Sequence, residues 1–325
     1  MKQIAWDEVM KRLEVASKIC NDASPVQVEG PIHVGVDLGT ADVVVMAVDD
    51  NGMPVSAFLE WATVVRDGVV VDYHGAITIV KRLVSMTEER LGRKITEAST
   101  SYPPGTDARL STNILDAANL RLVSTADEPS CLARLARLDR AAVVDIGGGT
   151  SEVALISMTG IAVSQSVRVA GDAMNLAVQH YLREVFRLEV GENTAENVKK
   201  ILGAALPQNN SLRLEVSGKD LVYGGPRVVT VTEGDICEAL HDPVQAVVET
   251  VLRALEQAPP ALAADVYDNG LLMAGGGALL RGLDQCIARA THLKVAVDKD
   301  PLTTVLRGTA QAMLYREDYE GIFIN

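Results

Sequence analysis

An acid at the end of an apolar run, then an aliphatic residue, a glycine turn and a hydroxyl residue, occurs twice in this chain. The first instance is Ile32-His33-Val34-Gly35-Val36-Asp37-Leu38-Gly39-Thr40, followed by the apolar run Val43 to Val48. The second is Val143-Val144-Asp145-Ile146-Gly147-Gly148-Gly149-Thr150, followed by Val153 to Ile156. Each reads as a β-hairpin whose turn is mostly backbone. Glycine lets main-chain N–H groups come close to an anion, as in a phosphate nest. The acid stands where a hydrated divalent cation needs a ligand. One such turn is more often structural than functional. Two of them, each opening a meander followed by helix, strand, turn and helix, imply duplicated α/β lobes. Two such lobes facing each other make a cleft for a polyphosphate.

The rest of the chain fits that plan. Residues 4–20 carry apolar groups at helical spacing and read as a helix docked on the body or offered to a partner. Residues 21–31, with Asn, Asp, Ser, Pro and Gly, read as a linker. The first half adds a strand over 55–59, a helix ending near Gly92, a strand over 97–101, a helix over 107–119 and a helix opening at Glu128-Pro129. The second half adds a helix from Gly171 to Phe186, a short helix over 194–201, strands and turns over 212–231 and one long helix over 232–257. A buried strand over 270–274, a helix from Ala278, a strand over 295–297 and a helix from Pro301 complete it.

Composition narrows the function classes. With 325 residues, 48% hydrophobic and 22% charged, the chain is long and apolar enough for a bilobed globular body. Its net charge of −13 argues against a general nucleic-acid binder and against an anionic membrane surface. The four cysteines form no Cys-x-x-Cys pair, which fits a reducing cytoplasm without a disulfide framework. The acids Asp7 and Glu8 stand where a signal peptide needs apolar residues. No apolar run reaches the ~18 residues of a transmembrane helix. There is no P-loop, and no Gly-x-Gly-x-x-Gly fingerprint follows a strand.

At this point the residues resemble the actin-like ATPase superfamily. Asp37-Leu38-Gly39-Thr40 is similar to its first phosphate motif and Asp145 to Thr150 to its second. Met273-Ala274-Gly275-Gly276-Gly277-Ala278 is similar to its adenosine motif. Glu128-Pro129 and Arg307-Gly308-Thr309-Ala310 resemble its two connecting helices. From about 141 to 325 the text resembles the MreB family of bacterial cytoskeletal proteins, as in Ser166-Val167-Arg168, Gly171-Asp172 and Asp300-Pro301-Leu302. From about 11 to 140 it resembles the EutJ family of ethanolamine-utilisation operons, as in Trp61-Ala62, Val64-Val65-Arg66-Asp67-Gly68 and Pro103-Pro104-Gly105-Thr106-Asp107.

The resemblance implies an α/β, two-lobed actin-like fold of the duplicated RNase H-like type, with an interlobe nucleotide cleft. It implies an N-terminal helix and linker over 1–30 and a first lobe over 31–144 whose small subdomain is reduced or absent. A second lobe spans 145–325, with a small subdomain near 190–231 and a C-terminal helix returning toward the first. It implies ATP or ADP with Mg²⁺ as ligands and slow hydrolysis. Leu38, Gly39 and Thr40 with Gly147, Gly148, Gly149 and Thr150 would clamp the phosphates. Asp37 and Asp145 would hold Mg²⁺ through its waters. Glu128 matches the position that orients the attacking water, or is a helix-start acid. Glu196 and Lys199 match positions that contact ribose and adenine, or form a solvated pair. Gly275, Gly276 and Gly277 would let the base pack on bare backbone. Asp172, after Gly171, would help close the cleft or cap a helix. Three functions compete: a nucleotide-gated chaperone or assembly factor for a protein client or microcompartment enzyme, a self-associating cytoskeletal ATPase, and a small-molecule kinase. The short stretch from Val48 to Asp67 favours the first over the second, since MreB filaments use all four subdomains. No acceptor-side catalytic base stands out for the third.

Overall fold

The computed structural model describes residues 15, 18–40, 42–66, 69–102, 109–127, 141–157, 160–207 and 212–297. Its first sheet opens with an antiparallel meander of β1 (Ile32–Leu38), β2 (Asp42–Asp49) and β3 (Pro54–Trp61). β2 is an almost unbroken Val/Met/Ala run because both of its faces are covered. Val43, Val45 and Ala47 face one cluster, while Val44, Met46 and Val48 join Ala57 and Ile19 on the other side. Ile19 comes from the end of the predicted N-terminal helix, most of which lies outside the described residues. After the small hairpin of β4 (Val65–Arg66) and β5 (Val69–Val70) comes α1 (Tyr73–Leu91). The Asp72 side chain caps α1 by accepting from the Gly75 amide at 2.8 Å. Gly92, at φ 63°, ends it in the left-handed region. The buried stripe Ala76, Ile79, Val80, Leu83 and Val84 docks α1 on the sheet. β6 (Glu97–Tyr102) and β7 (Arg121–Asp127), joined through α2 (Arg109–Ala117), then add in parallel to give the order β3-β2-β1-β6-β7.

The second sheet repeats this wiring. β8 (Ala141–Ile146), β9 (Ser151–Ser157) and β10 (Gly160–Val167) form its meander. Then follow α3 (Gly171–Phe186), β11 (Leu188–Glu189), α4 (Glu192–Leu202), β12 (Arg213–Asp220), β13 (Pro226–Thr232), α5 (Glu233–Ala239), α6 (His241–Glu256) and α7 (Pro260–Asn269). β14 (Leu271–Ala274), α8 (Leu283–Thr291) and β15 (Val295–Val297) complete the sheet in the order β10-β9-β8-β14-β15. β11, β12 and β13 form a separate three-stranded sheet. In each large sheet, the acid-bearing strand pairs antiparallel with its hairpin partner on one side and parallel with a later strand on the other.

Three local expectations change. The predicted helix over 232–257 is two helices, broken at Leu240. Pro243 lacks an N–H, and its ring excludes the carbonyl four residues earlier, at the end of α5. The helix expected from Ala278 begins at Leu283, because Gly276–Leu279 form a 3₁₀ turn and Gly282 has φ 77°. Residues 21–31 are tied down rather than loose. The buried Arg90 donates to the carbonyls of Asp22 and Ser24, both at 2.7 Å, and Arg93 donates to those of Gly30 and Val28. Among the described residues, no helix is long and apolar enough to cross a membrane.

Candidate functional site

The two large sheets contribute equivalent strand ends to one cavity of about 460 Å³. That is within the usual range of small-molecule pockets. From the first sheet come Asp37 and Leu38 at the end of β1, Gly39 and Thr40 of the turn, and Asp42 and Trp61. From the second come Asp145, Gly147, Gly148 and Thr150, then Gly171 and Asp172 at the start of α3. Glu196 and Lys199 of α4 and the Gly275–Gly277 turn complete the wall. Of the sequence-predicted set, Gly149 is buried and is not on the wall. Glu128 lies outside the described residues, as do the Arg307 to Ala310 helix and the helix from Pro301.

Asp37 ends a strand whose parallel neighbour supplies a hydroxyl, since Ser101 Oγ donates to Asp37 Oδ1 at 2.7 Å. Burial pushes the Asp37 carboxyl up, and the Ser101 hydroxyl and the Leu38 amide pull it back down. Asp145 is raised to about 7, by burial first and by the Asp37 charge second. Asp42 is also raised to about 7 by the same two causes. Two buried carboxyls, Asp42 and Asp145, and the half-buried Asp37 crowd one cavity, and that environment favours either protons or a cation.

The second turn is braced by its own helix. Gly147 N–H donates to the Thr150 carbonyl at 2.9 Å. The first two amides of α3 reach back to it, Gly171 N–H to the Gly147 carbonyl at 3.1 Å and Asp172 N–H to that of Gly148 at 2.8 Å. The N-cap position of α3 is Ala170, so Asp172 lies inside the first turn, where it lines the cavity. Glu196 pairs with Lys200 at 2.8 Å. Lys199 instead points inward and donates to the Gly171 carbonyl at 2.9 Å, with burial pushing its ammonium down. The solvated Glu196–Lys199 pair weighed above is therefore not what forms.

The third turn is pressed against the second. A Cβ added at Gly275, whose φ is 78°, would lie 2.3 Å from both Asp145 Oδ1 and the Ile146 carbonyl oxygen. One at Gly277 would lie 2.2 Å from Ile146 Cγ2. These glycines let β14 and its turn pack flush on the end of β8, its parallel neighbour.

The donor set suits a hydrated hard cation and an anion. Two facing carboxylates, Asp37 and Asp145, offer oxygen ligands, and Mg²⁺ keeps several of its waters. Among the described residues, no group of three or more His, Cys, Asp or Glu closes into a direct metal site. Asn175 adds a buried Oδ1 on the cavity side that has no hydrogen-bond partner among the described residues. Asp42, Ser101, Asn175 and Arg281 were not singled out from the sequence as site residues. Asp42 could have been, since an acid directly after the first turn must fold back on it. A Cβ at Gly39 would lie 2.9 Å from Asp42 Oδ1.

Comparison with known proteins agrees with this geometry. The sequence model of the MreB/Mbl protein family matches residues 55–320, so the likeness begins well inside the stretch read above as EutJ-like. Cell shape-determining protein MreB of Escherichia coli (strain K12) is 45% identical over 171 residues, 53% of this chain and 49% of that protein. Ethanolamine utilization protein EutJ of the same strain is 46% identical over 177 residues, 54% of this chain and 63% of that protein. Each alignment thus spans less than two thirds of the relative's own length. The crystal structure of MreB5 of Spiroplasma citri bound to ADP superposes with a TM-score of 0.76 at 26% identity, covering 88% of this chain and 97% of that one.

Proposed function

The chain belongs to the MreB/Mbl family of actin-like ATPases, and from that premise we propose that it binds ATP and ADP with Mg²⁺ in the cavity between its two sheets and hydrolyses ATP slowly. The observation that carries this reading is the convergence of Asp37, Asp145 and the Gly275–Gly277 turn on one cavity. The ADP bound by the MreB5 relative supports the choice of nucleotide.

Phosphoryl transfer asks a protein for positioning and charge neutralisation more than for covalent chemistry. The backbone amides of Gly39, Thr40 and Gly148 would hold the phosphates from both lobes, those of Leu38 and Gly147 being spent on the Asp37 carboxylate and the Thr150 carbonyl. Asp37 and Asp145 would hold Mg²⁺ through its waters, and the ion would neutralise phosphate charge. Ser101 keeps the Asp37 carboxylate oriented. Glu196 and Lys199 face the ribose and base side, and Gly275 to Gly277 present bare backbone to the base. Glu128 orients the attacking water.

The biological role we assign is that of a cytoplasmic, nucleotide-gated assembly factor acting on a protein client, as the EutJ likeness implies. Among the described residues between β3 and α1, the only strands are β4 and β5, of two residues each, which supports this role over a polymer built from four full subdomains. Calorimetry tests the ligand: MgADP and MgATP bind, and chelating Mg²⁺ weakens binding. No binding in either condition rejects the reading. Sedimentation with MgATP followed by microscopy tests the role, because ordered filaments would put the cytoskeletal function first.

A further inference from the structure

Arg281 follows the Gly276–Leu279 turn and lines the same cavity, yet its guanidinium is committed elsewhere. Nε donates to the Gly203 carbonyl at 3.0 Å and Nη2 to that of Ile201 at 3.4 Å. Nη1 lies 3.2 Å from Glu233 Oε2, and that carboxylate is only 3% exposed. The backbone joins in, since Ala205 N–H donates to the Arg281 carbonyl at 2.8 Å and Ala204 bridges Arg281 in parallel. One side chain thus holds the carbonyl end of α4, the first residue of α5 and the glycine turn together.

The two elements so joined are the two walls of one part of the cavity. α4 carries Glu196 and Lys199, and the turn carries Gly275 to Gly277. There is no slack where they meet. A Cβ at Gly203 would lie 2.3 Å from the Lys199 carbonyl oxygen and 3.0 Å from Leu280 Cδ1. A planar fork with fixed donor directions can serve two carbonyls and still hold its charge at ion-pair distance from a carboxylate, whereas a lysine ammonium is a point charge on a flexible stem. The partial negative charge at the carbonyl end of α4 further favours a cation there.

We infer that Arg281 is a positioning residue that sets the spacing of the base-side walls and so governs affinity for the nucleoside part of the ligand, not for its phosphates. The inference rests on the nucleotide reading above. It does not place Arg281 on the reacting atoms.

The test uses the full chain with two probes, MgADP and magnesium pyrophosphate, the second reporting on the phosphate turns alone. Arg281→Met takes the guanidinium away from the buried Glu233 carboxylate, so it lowers the melting temperature. The double variant Arg281→Met with Glu233→Gln removes that charge and restores the melting temperature. Both the double variant and Arg281→Lys bind MgADP about tenfold or more weakly, while pyrophosphate affinity stays within about twofold. In the double variant, amide exchange at Gly203 and Ala205 also speeds up without any ligand. If the double variant recovers MgADP affinity along with its melting temperature, Arg281 is only structural and the inference fails. It fails equally if pyrophosphate affinity falls in parallel with that for MgADP. A wild-type chain that binds neither probe rejects the nucleotide reading itself, and this inference with it.

Discussion

Asp37 and Asp145 occupy the same position in two copies of one strand, the second-to-last residue of β1 and of β8, and each lines the same cavity. The charge of Asp37 helps hold the Asp145 carboxyl at about 7. The two carboxyls therefore oppose each other's ionisation, and a cation bound between them would relieve that opposition.

That repulsion has a pH signature. Asp145 binds its proton more tightly folded than unfolded. Its contribution to stability is complete below the ordinary carboxylate value and is lost as pH rises through about 7. The Asp145→Asn variant lacks this loss. Without nucleotide or Mg²⁺, the melting temperature of the variant relative to wild type is expected to rise between roughly pH 5 and pH 8, reflecting at most about 1.4 kcal/mol per pH unit. A difference that stays constant with pH contradicts the assignment. The same variant is expected to lose Mg²⁺-dependent nucleotide binding in calorimetry.

The glycine turn tolerates no side chain on the face pressed against β8. Gly275→Ala is expected to cost about 1–3 kcal/mol, because it combines a positive φ with contact on Asp145 and Ile146. It should also weaken nucleotide binding by displacing Asp145. Gly225→Ala serves as the control, since a Cβ there meets nothing within 4 Å and the expected change is within about 0.5 kcal/mol. Urea titrations of the two variants measure both values.

Arg90 anchors the segment ahead of β1. It is 5% exposed, pairs with Asp22 at 2.9 Å and donates through Nε to the Val55 carbonyl at 3.1 Å. Arg90→Met leaves these carbonyls without their donor and is expected to destabilise the fold by about 2–4 kcal/mol in urea unfolding. Limited proteolysis is then expected to cut between residues 21 and 31, a segment whose hydrogen bonds to Arg90 and Arg93 are expected to protect it in wild type. Unchanged cleavage there would show that the segment is held by other contacts.

Glu128→Ala separates binding from turnover. MgATP affinity is expected to stay within about twofold of wild type. Single-turnover hydrolysis is expected to slow by about 10²-fold or more, as for loss of a residue that orients a reacting proton. Unchanged turnover removes Glu128 from the proposed mechanism.

Much of the fold is legible because it is local. The apolar runs of β1 and β2, and of β8 and β9, each pair separated by a glycine-containing turn, announce the two hairpins, and the stripe from Ala76 to Leu91 announces α1. The misread places are those where one residue overrides a periodic pattern. Pro243 splits an apolar helical run into α5 and α6, and Gly282 delays the start of α8. The loose composition of residues 21–31 concealed its attachment, because that attachment is made by Arg90 and Arg93 far along the chain. Asp42 was adjacent to a recognised motif and was readable in principle. Arg281 and Asn175 lie within ordinary helix-and-turn text, and nothing in their neighbours marks them.

By itself the sequence determined that two hairpins each carry an acid and a glycine turn, since strand period, turn residues and acid position are properties of short stretches. Only the tertiary structure decided that the two acids share one cavity, that Lys199 turns toward Gly171 while Lys200 takes Glu196, and that Arg281 joins α4 to α5. The reason is physical. A carboxylate's proton affinity and an arginine's partners depend on burial and on charges brought close in space, and residues far apart in the chain supply both.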